Sequence, residues 1–375
     1  MRVLTDFPGG GAADIRIDGS RISFDAPAHN CPQPMWFCLR VVEAAGQPLE
    51  LVVRNAGRCL GGDTMAATRP VVGVDGEWSR VPDEQVWYDH EAHQLHFRLT
   101  PASDQVTVAY CYPYQLADLQ RRLAELAAHP HLERLLLGRS PAGRPLEAVR
   151  VTDPSANGRK QLIWCVARQH AGEVPGSFVF EGLLEAWLAA TPEAAQLRRE
   201  TVLCALPMVD VDAVETGSYG KDQSPVDFNR DWTACPHHPA IARLLETIAE
   251  DAAQHDYRLF LDLHAPHPSG VSFLVPARGL LADPGGWDEH WRLGALLEAA
   301  SAPPVRLADY PPHSLDWELR LADSVATEAN RRSFGTIATT LEIAYHRDAS
   351  GELVGPTSWR AVGAALTGAI ARWLA

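Results

Sequence analysis

The strongest constraint in this sequence is a rhythm that sets in after residue 114, where short apolar runs alternate with longer helix-spaced stretches. Leu162 to Ala167, Val202 to Met208, Leu259 to Leu263 and Thr336 to Ile343 read as strands. Phe178 to Leu188, Ala240 to Ala252, Trp291 to Ala299 and Ala361 to Leu374 read as helices. So does Leu116 to about Ala128, where Leu116, Leu119, Leu123 and Leu126 follow helical spacing. This alternation predicts an α/β domain built on a mostly parallel or mixed sheet. In open sheets of that kind ligands collect at the carboxyl ends of the strands, which singles out the polar residues standing just after each run.

The preceding stretch has a different texture. Ile15, Ile17, Ile22 and Phe24 flank Asp18-Gly19 in the manner of a hairpin. Met35 to Val42 and Leu49 to Arg54 are β-rich and split by Gly46-Gln47-Pro48, and Leu95, Phe97 and Leu99 alternate with polar neighbours, as do Val106, Val108 and Tyr110. Short strands at regular spacing predict an all-β antiparallel sandwich over residues 1–114, followed by a second domain over 115–375. Trp36, Trp78, Trp87 and Tyr88 are read there as packing residues rather than as a binding face.

Hydrophobic residues form 46% of the chain and charged ones 21%, enough to bury a large core without disulfide or metal staples. The formal net charge of −14 argues against a protein that coats nucleic acid, because phosphate binding needs a basic face. The seven cysteines, Cys31, Cys38, Cys59, Cys111, Cys165, Cys204 and Cys235, are odd in number and form no CxxC pair. They read as reduced thiols. With no apolar signal core at the amino terminus and no stretch long enough to span a bilayer, the expected compartment is the cytoplasm, with no membrane partner.

Four places carry residues suited to chemistry. His170 and Glu173, separated by two residues around Gly172, follow the first apolar strand, and a tight turn there can bring both to one ion. His264 ends the third strand. Two histidines and a glutamate suit Zn²⁺ with a fourth position left for water. Asn229 and Arg230 are neighbours able to grip a carboxylate together, and Asp227 stands where it can hold the outer nitrogen of a ligating histidine. Glu342 places one carboxylate inside an apolar run, a position suited to a general base. Each piece has an ordinary reading when taken alone: a turn, a structural histidine, a surface salt-bridge cluster, a buried ion pair.

Taken in order, His170-x-x-Glu173, Asp227-x-Asn229-Arg230, His264 and Glu342 resemble the zinc carboxypeptidases of the M14 family, over roughly residues 115 to 375. The β-rich start and the joint Ala109-Tyr110-Cys111-Tyr112-Pro113-Tyr114 resemble its cytosolic carboxypeptidase branch, in a bacterial form. The resemblance implies a carboxypeptidase-like mixed sheet flanked by helices. It also implies one Zn²⁺ per chain on His170, Glu173 and His264, with Asp227 orienting His170. Asn229 and Arg230 would hold the terminal carboxylate of the substrate, and Glu342 would be the base. Two departures stand out. The family's arginine ahead of the Asn-Arg pair has no counterpart in Gly217 to Gln223, where only Lys221 offers a cation for the oxyanion. The mobile tyrosine of pancreatic-type members is also missing from the loop holding Leu321, Ala322 and Asp323, with Tyr310 a remote substitute.

The expected substrates are peptide or protein carboxy-terminal tails, with glutamate-type residues the ones implied for release. Arg168, Lys221, Arg332 and Arg347 are the cations near the motifs that would have to form a basic pocket. The alternatives are a zinc N-acyl amino acid deacylase of the succinylglutamate desuccinylase or aspartoacylase type, and a binding protein with a vestigial zinc site. A homo-oligomer is compatible with the composition.

Overall fold

Alternation of buried and half-exposed side chains folds residues 2–109 into two sheets of five strands. One orders Arg2–Leu4 (β1), Cys38–Val42 (β4), Gln105–Ala109 (β10), Val71–Val74 (β6) and Glu77–Arg80 (β7), every pair antiparallel. The other orders Ala13–Asp18 (β2), Arg21–Asp25 (β3), Leu49–Val53 (β5), Gln94–Leu99 (β9) and Val86–Asp89 (β8). Here β3 and β5 run parallel, a departure from the antiparallel pairing expected. Between them the chain passes through β4 of the other sheet, the long crossover that a parallel pair requires. The β2–β3 hairpin turns at Gly19-Ser20, since Asp18 pairs with Arg21.

Phe37, just ahead of β4, packs against Phe24 and Phe97 of the facing sheet and against Tyr110, just past β10, with ring centroids 5.4–6.3 Å apart, and this cluster forms the centre of the sandwich. Trp36 is buried and donates to Gly9 O, while Trp87 stacks on His96 beneath Arg98.

The structure, a computed structural model, describes residues 1–307 and 323–375; Tyr310, Leu321 and Ala322 lie outside these. A sheet of seven strands carries the rest of the chain. Its order is Leu132–Arg139 (β11), Pro145–Val151 (β12), Thr201–Leu206 (β14), Gln161–Ala167 (β13), Asp256–His264 (β15), Ile337–Glu342 (β17) and Phe273–Pro276 (β16). The central β14-β13-β15-β17 pairs are parallel, and β11, β12 and β16 extend the sheet antiparallel at its edges. The four apolar runs are the parallel core. The edge strand β11 and its neighbour β12 escape a reading of apolar runs, because Glu133, Arg134, Arg139 and Arg150 interrupt them.

Helices cover the sheet: Leu116–Glu125 (α1), Pro175–Leu188 (α2), Pro192–Glu200 (α3), Val211–Thr216 (α4), Pro239–Gln254 (α5), Pro284–Ala300 (α6), Ala326–Phe334 (α7) and Pro356–Leu374 (α8). Several begin earlier than apolar spacing alone predicts, because a proline at the first turn starts them; in α6 the Asp283 side chain also caps Gly286 N. Among the described residues no helix is long and apolar enough to cross a membrane.

Helix α2 is buried on almost every side, as a helix that is apolar all round must be. It meets α8 backbone to backbone. A Cβ on Gly182 would collide with Arg360 O, and one on Gly363 with Val179 O. Gly363→Ala should therefore push α8 off α2 and cost about 1–3 kcal/mol or more of stability, read as a lower urea midpoint at unchanged slope. A wild-type midpoint would mean that the two helices have slack.

Candidate metal centre

The parallel strands end at one edge, and the candidate residues collect there. The β13 strand stops at Ala167, and the following loop carries His170 and Glu173 before α2 begins. His264 is the last residue of β15 and Glu342 the last of β17, and the two are cross-strand partners. Gly172 sits against the Tyr219 ring, where a Cβ would not fit, so the loop turns tightly as its glycine suggests.

The inner nitrogens converge. His170 Nδ1 and His264 Nδ1 lie 3.2 Å apart. Glu173 bridges them, with Oε1 2.8 Å from His170 Nδ1 and Oε2 2.6 Å from His264 Nδ1. All three side chains are buried, and their donor atoms fall within 4.8 Å of one another. Tyr219 OH and Ala265 N both donate to the Glu173 carboxylate.

The outer nitrogens are each held by a carboxylate. His170 Nε2 lies 3.0 Å from Asp227 Oδ2, and His264 Nε2 lies 3.0 Å from Asp262 Oδ1. In the neutral tautomer whose N–H faces the outer carboxylate, each imidazole would offer its Nδ1 lone pair on the inner side, where a metal ion could take it. Burial opposes charge on these rings. Even so, Asp262 and Glu173 raise His264 well above the usual imidazole value, and Asp227 and Glu173 raise His170. Burial likewise opposes the charge on Glu173, but the two histidines hold its carboxyl well below the ordinary range. Three carboxylates around two imidazoles make a place that favours positive charge, and a His-Glu-His donor set of this kind is suited to a metal ion.

Asp227 does more than orient His170. Its oxygens accept from Asn229 N at 2.7 Å and from Asp222 N at 2.8 Å, which fixes the turn Phe228–Arg230 beside the triad. Asn229 is buried: its Oδ1 accepts from Ala326 N, and its Nδ2 lies 3.2 Å from His264 Nε2. Arg230 is half-buried and bonds only to Asn229 O, with no carboxylate against it among the described residues. Lys221 is half-exposed, and its ammonium has no hydrogen bond or ion pair among those residues; its charge is nonetheless felt by His170, Asp227 and Glu342.

Glu342 is half-buried, but its Oε2 is enclosed and has no hydrogen-bond partner among the described residues. Burial, and then the neighbouring charge of Glu173, push its carboxyl up to about 7. The other cations near the motifs are engaged elsewhere. Arg168 is buried on Ala171 O, Tyr114 O and Ser177 Oγ, Arg332 pairs with Asp323, and Arg347 pairs with Asp83.

A buried relay passed unnoticed in the sequence. Trp232 Nε1 donates to Gln169 Oε1 at 2.7 Å, Gln169 Nε2 donates to both Asp262 oxygens at 2.8 Å, and Asp262 holds His264. The signal was available, since Asp262 precedes His264 by two residues on a strand and so shares its face.

A mixed sheet that delivers His-x-x-Glu and a second histidine to one point at its carboxyl edge, with another carboxylate alongside, defines an α/β protein with a three-donor site suited to a metal ion. Residues 119–257 match the zinc carboxypeptidase model of the M14 peptidases, and residues 3–111 match the cytosolic carboxypeptidase N-terminal domain. The two matches together span more than half of the chain, and the chain belongs to the M14 zinc carboxypeptidase family.

Among curated relatives, cytosolic carboxypeptidase 6 of Caenorhabditis elegans is 27% identical over 313 residues, covering 76% of this chain and 66% of the relative. Cytosolic carboxypeptidase 6 of Mus musculus is 29% identical over 206 residues, covering 50% of this chain and 38% of the relative. The chain thus matches less than two thirds of the length of either. The fold is shared over the whole chain with a metallo-carboxypeptidase from Burkholderia cenocepacia, at TM-score 0.87 and 21% identity, covering 98% of that chain. A metallo-carboxypeptidase from Pseudomonas aeruginosa, in complex with (2-guanidinoethylmercapto)succinic acid, gives TM-score 0.85 and 23% identity over 100% of this chain and 99% of its own.

Proposed function

We propose that this protein is a zinc-dependent carboxypeptidase that removes residues from the carboxyl ends of peptides or protein tails. The observation that carries the reading is the meeting of His170, Glu173 and His264 beside Glu342, whose enclosed Oε2 has no hydrogen-bond partner among the described residues. In this reading the sandwich, residues 1–114, stands beside a catalytic unit, residues 115–375.

His170 Nδ1, His264 Nδ1 and the Glu173 carboxylate would hold zinc, which when bound lowers the pKa of water and polarises the scissile carbonyl. Glu342 takes the proton from the attacking water and passes it to the leaving amine. Lys221, whose ammonium is free of partners among the described residues, faces the developing oxyanion in place of the family's arginine. Arg230 grips the terminal carboxylate, with the Asn229 amide beside it. Asp227 keeps the turn carrying both in register with His170. An acidic leaving residue is the one the likeness to the cytosolic carboxypeptidases suggests, and its side chain would need a cation besides Lys221 and Arg230.

Digestion of a peptide library, read by mass spectrometry with metal measured on the same sample, tests the proposal. Residues should leave one at a time from the carboxyl end, acidic ones fastest; cleavage of acyl-amino acids in preference to peptides would overturn it in favour of a deacylase. Arg230→Ala should lower kcat/KM on free-carboxyl peptides by about 10²-fold, the worth of one or two charge-assisted hydrogen bonds. If the unaltered enzyme treats amidated and free peptides alike, Arg230 has another role.

A further inference from the structure

The segment that follows Glu342 is held from outside its own sheet by Trp359, which donates from Nε1 to Ala344 O at 2.9 Å, and one residue further on by a guanidinium of the sandwich. Arg80, the last residue of β7, donates from Nη2 to Tyr345 O at 2.5 Å and to Val354 O at 2.7 Å, and from Nε to Val354 O at 3.1 Å. Its Nη1 donates to Arg69 O at 2.6 Å and to His346 Nδ1 at 3.1 Å. All five guanidinium N–H groups are thereby used. Because a guanidinium only donates, His346 Nδ1 is the acceptor and the ring is neutral. The Tyr112 ring packs against the guanidinium, 5.1 Å away. No carboxylate pairs with Arg80 among the described residues, so charge pairing does not explain its placement.

The segment Arg80 holds is the one whose position matters to the site. Glu342 Oε2 has no hydrogen-bond partner among the described residues, so the backbone on either side of the residue sets where the carboxylate points. Ile343 N is tied to His264 O and Ala344 N to Ser272 Oγ, both at 3.0 Å. Tyr345 is the next residue, and there the restraint on the backbone comes from Arg80. The Tyr345 ring packs on Tyr110 of the sandwich, and its hydroxyl donates to Gly172 O, inside the loop that carries His170 and Glu173. A shift of Tyr345 would therefore move both the base and the loop facing it.

We propose that Arg80 is a positioning residue for Glu342, so that the sandwich is a working part of the active site rather than an appended module. The proposal rests on Glu342 being the base. In the full-length chain, Arg80→Ala should keep the metal content and KM of the unaltered enzyme and lose about 10²-fold in kcat, the scale of a small misplacement of a catalytic group. Millimolar guanidinium should restore part of that kcat, which a general loss of structure would not allow. Arg80→Lys, which keeps the charge without the fork, should fold normally and remain slow. It decides the matter alone if the alanine variant does not fold.

Undiminished kcat in either variant, with Glu342→Gln inactive, would overturn the role of Arg80 and leave the base intact. Loss of metal without rescue by guanidinium would also overturn it. A fully active Glu342→Gln enzyme would remove the base assignment and this proposal with it.

Discussion

Glu342→Gln is expected to keep the metal and to lower kcat by about 10³-fold, within the range that general base catalysis supplies. The amide is close to the carboxylate in shape, so β17 and its partner β15 have no reason to move, and His264 keeps its place across the pair. What changes is the capacity to accept a proton. The carboxyl, raised to about 7 by its surroundings, is basic enough to take one from water near neutral pH, and an amide is not. The measurement is kcat on the preferred peptide with zinc quantified in the same preparation. Substantial turnover by a metal-replete Glu342→Gln enzyme would show that another group moves the proton.

The second large effect concerns the metal centre itself. A chelator should abolish activity and added zinc restore it, while His264→Ala should fail to retain zinc at all. Three ligands leave no spare, and Asp262 and Asn229 would then flank an empty corner. Stability supplies a readout independent of turnover. An ion that binds only the folded chain at 100 times its Kd stabilises it by about 2.7 kcal/mol, so the thermal midpoint of the unaltered protein should rise with zinc and that of His264→Ala should not. Asp262→Asn, which leaves every ligand in place, should weaken zinc binding by about 10–100-fold. Full zinc occupancy in His264→Ala would place the ion elsewhere and end the reading of the site.

Much of the fold was legible because its signals are local. The four parallel strands are continuous apolar runs, and the hairpin at Gly19 and the helices α2, α5 and α8 carry their own periodicity. The strands β11 and β12 were not legible. The first is the edge strand and the second its neighbour, and there charged side chains interrupt the apolar pattern. The parallel β3–β5 pair also escaped notice, since strand direction depends on a crossover through another sheet and not on composition.

The candidate site divides in the same way. Residue types and short spacings marked His170, Glu173, Asp227, Asn229, Arg230, His264 and Glu342 as candidates, because chemistry restricts which side chains can bind a metal, hold a carboxylate or move a proton, and the resemblance of the ordered set to the M14 carboxypeptidases gave them roles. The pairing of His264 with Asp262, the relay from Trp232 through Gln169 to Asp262, and the grip of Arg80 on a segment 265 residues away were decided only by the folded chain. A side chain's type is written in the sequence. Its neighbours across 94 residues, as between His170 and His264, exist only once the parallel strands pair and bring their carboxyl ends to one edge.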